Sequence, residues 1–207
     1  WTPTKAGGKD KNPTDWAGNL VAHQLKQRED GTLYPVPVEK AAERLQKQVE
    51  TTPITERGDV AGAGKSYHFD GAGYADVVMP KMEGIRKITG HFQVAKQQGQ
   101  FGLMFNVGPN QTGSLNLVFD PVKQQVAFYN TDTSRVHAAK PELAVPVSLQ
   151  PDESYDFTLL IDGTVAVLYI NDQMALSTRM YDLPEHQWGI FSTGSEVTLT
   201  GLQTSTL

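Results

Sequence analysis

The chain has 207 residues, 18 basic against 23 acidic side chains, a net charge of −5 and no cysteine. A chain of this length can bury a core without covalent staples, and the absence of Cys removes disulfides, thiolate metal sites and cysteine nucleophiles together. There is no basic stripe for a phosphate backbone and no apolar run long enough to span a bilayer, so neither nucleic acid nor a membrane is expected as a partner.

Trp1 rather than Met stands first, so the chain is expected to derive from something longer. Residues 1–36 carry two short apolar patches, "WAGNLVAHQL" and "GTLYPVPV", around a turn at Asp30-Gly31, which predicts a hairpin of modest length. In "PVEKAAERLQKQVETTP", Val38, Ala41, Ala42, Leu45 and Val49 recur at helical spacing, with Pro37 suited to a start and Pro53 to a stop. This predicts one linker helix over 37–52, lying on its apolar stripe.

From Ile54 onward the period is two. In "KITGHFQV", Ile88, Gly90, Phe92 and Val94 face one way, while Thr89, His91 and Gln93 face the other. "QFGLMFNV" sets Phe101, Leu103, Phe105 and Val107 on one face, and "SLNLVFD" and "QVAFYN" continue the pattern around a turn at Asp120-Pro121. Asp162-Gly163 and Asn171-Asp172 split "FTLLIDGTVAVLYINDQMALSTRMY" into three strands with two tight turns. "WGIFS" and "EVTLTGL" supply two more. Many short strands at this spacing predict a mostly β, antiparallel two-sheet sandwich. Its core is expected to contain Phe92, Phe101, Leu103, Phe105, Leu117, Phe119, Leu159, Val167, Ile190 and Leu199.

Few residues point to chemistry. "GDVAGAGKSY" contains Gly64-Lys65-Ser66, but Asp59 occupies the place of the first glycine of a phosphate loop, and no helix pattern follows. His23, His68, His91, His137 and His186 show no metal-ligand spacing, so no metal and no cofactor are expected. The oxygens of "DGAGYAD" and "NTDT" are better explained by turns than by a cation. No paired carboxyls of the kind that flank a glycosidic bond stand out, and Glu142, Glu153 and Glu185 read as solvated loop residues. Asn110-Gln111-Thr112 is a glycosylation sequon in form only. Among the aromatics, Trp188 reads as core. Trp1 and Trp16 remain as candidate carbohydrate-stacking residues, together with the weaker Tyr74, Tyr129 and Tyr181. No catalytic residue is identified.

"YINDQMALSTRMY", followed by "GIFSTG" and "VTLTGLQ", resembles the closing part of the C-terminal β-sandwich of glycoside hydrolase family 32, the invertases, levanases and inulinases. "DWAGNLVAHQLKQREDGTLYPVPVEKAAERL" is similar to the last blade of that family's five-bladed propeller and the linker after it. The resemblance implies a remnant of the last blade over 1–36, a linker helix over 37–52, and a concanavalin A-like jelly roll over 53–207. It also implies a retaining β-fructosidase as the parent, located outside the cytoplasm. The family's catalytic Asn-Asp-Pro, Arg-Asp-Pro and Glu-Cys segments have no counterpart, since the sole Asp-Pro, Asp120-Pro121, is a turn. The chain alone is therefore expected to be an accessory part that does not hydrolyse sucrose, inulin or levan. Its expected partners are the parent propeller or a second copy of the chain, and a fructan or other glycan. The alternatives are a free-standing lectin-like sandwich and a purely structural interaction module.

Overall fold

The computed structural model describes residues 2–110, 112–181 and 186–207. Two hairpins come first: β1 (Thr2–Lys5) with β2 (Thr14–Asn19), and β3 (Gln24–Gln27) with β4 (Leu33–Val36). A single helical turn, α1 (Glu39–Ala42), and β5 (Lys47–Val49) lead into the body. The body comprises β6 (Thr55–Arg57), β7 (Val60–Ala63), β8 (Ser66–Asp70), β9 (Tyr74–Met79), β10 (Arg86–Val94), β11 (Gln100–Val107), β12 (Leu115–Asp120), β13 (Gln125–Asn130) and β14 (Leu143–Pro146). It is completed by β15 (Ser154–Asp162), β16 (Val165–Ile170), β17 (Met174–Arg179), β18 (Gln187–Thr193) and β19 (Glu196–Thr206).

Two antiparallel sheets stack. One runs β17-β16-β15-β10-β19-β8-β7, with β5 also on β19, and the other runs β14-β13-β12-β11-β18-β9-β6. The chain is thus mostly β, a two-sheet sandwich. Alternation explains the core between the sheets. Phe92, Phe101, Leu103, Phe105, Leu117, Phe119, Leu159, Ile190 and Leu199 all point into it, and Trp188 joins them. The rings of Phe92, Phe101, Phe119, Tyr155 and Phe157 form one cluster at centroid distances of 4.7–6.4 Å. A smaller apolar layer of Val78, Met104, Val118, Tyr129, Val136 and Phe191 lies on the outer side of the second sheet.

Three expectations are corrected. The linker helix is one turn, Glu39–Ala42, and not a helix over 37–52. Lys47–Val49 instead pairs with Lys47↔Thr206, Gln48↔Ser205 and Val49↔Thr204 at the end of β19. An open strand edge supplies backbone partners there that an isolated short helix cannot match. Val107 lies in the outer layer, because a bulge at Asn106 (φ +52) shifts the register of β11 against β18 and turns the following side chain over. Val167 is buried, but it is absent from the inter-sheet core. Its neighbours Ala166 and Leu168 face inward, so Val167 faces out and lines a groove with Leu20 and Val21 of the front segment.

The remaining sequence motifs resolve into turns. "GAGKSY" is the β7–β8 hairpin. Asp70 accepts the Ala72 N–H, and Asp132 accepts the Ser134 N–H. Gln111 of the sequon and Glu185 lie outside the described residues.

Candidate functional site

The third hairpin strand of the quoted stretch builds the site. Asn171 and Asp172 both adopt left-handed backbone angles (φ +41 and +52), which Asn and Asp tolerate, and with Gln173 they form the three-residue connection between the paired Ile170 and Met174. That turn returns the chain as β17, the edge of the first sheet. Arg179 ends β17 and is only 6% exposed. Its Nε donates to Pro3 O at 2.9 Å, its Nη2 to Thr2 O at 3.1 Å and to Asn19 Oδ1, and its Nη1 to Thr164 Oγ1 at 2.8 Å.

The contacts continue along the seam. The Lys5 N–H donates to the Tyr181 hydroxyl at 3.0 Å, and the Tyr181 N–H donates to Asp10 Oδ1 at 3.0 Å. Lys5 Nζ pairs with Glu142 at 2.8 Å and donates to Asp10 O at 2.6 Å. Asn130 donates to the same Asp10 carbonyl. The second hairpin is tied by His23 Nδ1 to the Tyr169 hydroxyl at 2.9 Å and by Arg28 to Asp172 O at 2.5 Å. Burial lowers the His23 pKa and raises that of Tyr169.

The far side of the front segment is apolar and open. Trp16 is 93% exposed, Leu20 85%, Leu25 61% and Leu33 60%. An apolar groove of about 790 Å³ adjoins this face, lined by Leu20, Val21, Leu160, Val165, Val167 and Leu207 among others. On the other flank a cleft of about 1190 Å³ opens between the front segment and the second sheet. Lys9, Lys11, Asn12, Lys81, Asn106 and Asn130 line it, and the bulge at Asn106 sets that residue at its wall.

Of the candidate stacking residues, Trp1 lies outside the described residues. Among the described residues, the hollow beside Trp16 on β2 is lined by Thr14, Asp15, Trp16 and Ala17 only. Tyr129 and Trp188 are buried and cannot stack on a sugar. Tyr74 packs against the outer layer, where burial and then the Asp76 charge push its phenol above the ordinary tyrosine range. Tyr181 is occupied in the seam.

Sequence reasoning missed the Arg57–Asp76 pair. Asp76 is fully buried, and Arg57 sits directly opposite on the edge strand, with Nε 3.1 Å from both carboxylate oxygens. That bond raises the arginine's pKa further. A signal was available in an acid standing within the apolar run "YADVVMP". Among the described residues, no group of His, Asp or Glu is placed to hold a metal ion.

Comparison with known proteins adds the frame. No curated protein matches the sequence. The structure is similar to the carbohydrate-binding module CBM66 from Bacillus subtilis, with 14% identity, a TM-score of 0.59, and coverage of 77% of this chain and 97% of the module. It is likewise similar to a Bacillus subtilis protein of unknown function with a galectin-like fold, with 12% identity, a TM-score of 0.59, and coverage of 78% of this chain and 97% of that one. Exo-inulinase from Aspergillus awamori matches with 17% identity and a TM-score of 0.56, over 89% of this chain but 34% of the inulinase, so the chain spans about a third of that enzyme's length. These likenesses establish the sandwich fold. The family model described as GH32, BT1760-like, C-terminal domain matches residues 31–204. The chain belongs to that family of glycoside hydrolase C-terminal domains and is its accessory β-sandwich.

Proposed function

We propose that the chain is the accessory sandwich of a retaining β-fructosidase acting on fructan or sucrose, and that its front segment docks on the parent's catalytic propeller. One observation carries this reading. Five of the nine large apolar side chains that stand most exposed among the described residues fall between Trp16 and Val38. Burying such a side chain is worth roughly 1.5–3 kcal/mol, so a surface that leaves several in water is a surface built to be covered. The propeller is the favoured occupant because the front segment resembles the last blade of one, and among the described residues its strands pair only with each other.

Co-expression of the chain with the propeller portion of its parent tests the reading. The two should co-purify, and the triple change Trp16→Ser, Leu25→Ser, Leu33→Ser should abolish this while leaving the chain folded. Unchanged co-purification would defeat it. A dimer of the chain alone that the same triple change breaks would assign the face to a second copy instead.

The cleft supports a second reading, glycan binding, because the amides of Asn12, Asn106 and Asn130 and the ammonium groups of Lys9, Lys11 and Lys81 line it. Among the described residues no cluster of aromatics joins the polar groups, so millimolar affinity for levan or inulin fragments is the expected limit. Calorimetry giving a micromolar constant, lost in Asn106→Ala, would make glycan binding the primary role.

A further inference from the structure

We propose that Arg179 is a latch: one guanidinium that holds the front segment on the sandwich and so positions the docking face. The attachment needs such a device. Among the described residues, no backbone–backbone hydrogen bond joins residues 2–36 to the sandwich, and β1–β2 and β3–β4 are separate two-stranded sheets. A two-stranded hairpin is marginal by itself in water. Side chains must therefore supply what ladder bonds supply elsewhere.

Arg179 is built for this task. It is a buried cation whose four hydrogen bonds all go to neutral oxygens. Three of those oxygens belong to the front, on Thr2, Pro3 and Asn19, and one belongs to Thr164 in the turn between β15 and β16. The rigid planar fork reaches both strands of the first hairpin and the sandwich at once. A lysine ammonium, a single point charge, cannot span the three segments. If the front lifts away, the guanidinium loses most of its partners together and must be rehydrated, which makes release cooperative. Tyr181, two residues on, extends the latch. Its hydroxyl accepts the Lys5 N–H, and its ring lies 5.5 Å from the Arg179 guanidinium. The signature stretch "ALSTRMY" thus serves the join between the two regions. The positioning role rests on the docking reading, whereas the latch does not.

Hydrogen–deuterium exchange on the whole chain tests both. Arg179→Lys and Arg179→Met should speed exchange over residues 2–19 roughly tenfold or more, with amides of β10 and β15 unchanged. Asn19→Ala removes one acceptor from the front alone, leaves the sandwich intact, and should give an increase of roughly a few fold over the same residues. Wild-type exchange rates over 2–19 in both Arg179→Lys and Asn19→Ala would overturn the latch, as would an equal rise across β10 and β15. If the Arg179 variants do not fold, Asn19→Ala decides alone. Binding to the separate propeller separates the two ideas. If the wild-type chain does not bind it, the docking reading fails and the latch is judged on exchange. If Arg179→Lys binds as tightly as wild type despite a loosened front, the latch stands and the positioning role is rejected.

Discussion

The sandwich and the front segment are built from the same kind of strand yet spend their apolar residues in opposite ways. Trp188 and Leu103 are closed between the sheets, while Trp16 and Leu25 face water. In the sandwich, burial is cohesive: most apolar side chains find their partners within the chain, with Ile54, Val122, Leu143 and Leu207 as exposed exceptions. In the front, side-chain hydrogen bonds and the Lys5–Glu142 ion pair make the attachment, and the apolar side chains are left for something else. A residue type therefore does not announce its role. What decides it is whether the chain itself supplies the facing surface.

The sharpest way to break this comparison uses one residue type in both regions. Trp188→Ala should cost about 3–5 kcal/mol in urea unfolding, because the ring leaves a cavity in a closed core. Trp16→Ala should change stability by less than about 0.5 kcal/mol. Equal losses at the two sites would mean that the front segment is part of the cooperative core. The leucines repeat the test on a smaller scale. Leu103→Ala should cost about 2–5 kcal/mol. Leu25→Ala should stay within about 0.5 kcal/mol. A loss that small at Leu103 would refute its inward placement.

How much of this was legible follows from range in sequence. Strands were legible because alternation is local, and the Asp162-Gly163 and Asn171-Asp172 turns carry their own chemistry. The linker defeats local reading because Val38, Ala41, Leu45 and Val49 fit a helix, while the competing strand partner, Thr204 to Thr206, lies some 155 residues away. Val107 and Val167 escape alternation for physical reasons: a bulge in one case, and in the other a groove formed with residues near Leu20. Arg179 stood inside the recognised signature, but its function depends on Thr2, Pro3 and Asn19, which no local pattern links to it. Trp16 is legible as a candidate stacking residue, whereas its exposure outside the cleft's lining depends on how the hairpin folds.

The outer face of the second sheet offers an intermediate case. Asp76 is buried, while the Arg57 side chain paired with it is 35% exposed. Asp76→Asn keeps the shape and removes the charge, so the guanidinium can turn partly to water. The expected loss is about 1–3 kcal/mol, below that of emptying the aromatic core. Unfolding of Asp76→Asn beside Leu103→Ala measures this directly. A larger loss at Asp76 would place the ion pair above hydrophobic burial as the main support of that edge.

The smallest effect concerns pH and falls on the front alone. His23 bonds the Tyr169 hydroxyl, and burial lowers its pKa in the folded chain below the ordinary value of about 6.5. Above that ordinary value the imidazole is neutral whether the hairpin is docked or free, so it adds no pH dependence. As pH falls below it, the free hairpin takes up a proton that the docked one resists, and docking weakens. The loss ends once pH passes the lowered folded value, where both states are protonated. Exchange of the β3 and β4 amides, corrected for the intrinsic rate, should therefore rise between pH 7.5 and 5.5, while the β10 and β15 amides keep their protection. His23→Gln, which holds a hydrogen bond without titrating, should remove the rise. A rise that persists in His23→Gln would assign the pH response to another group, and an equal rise in the sandwich would show that the two regions open together.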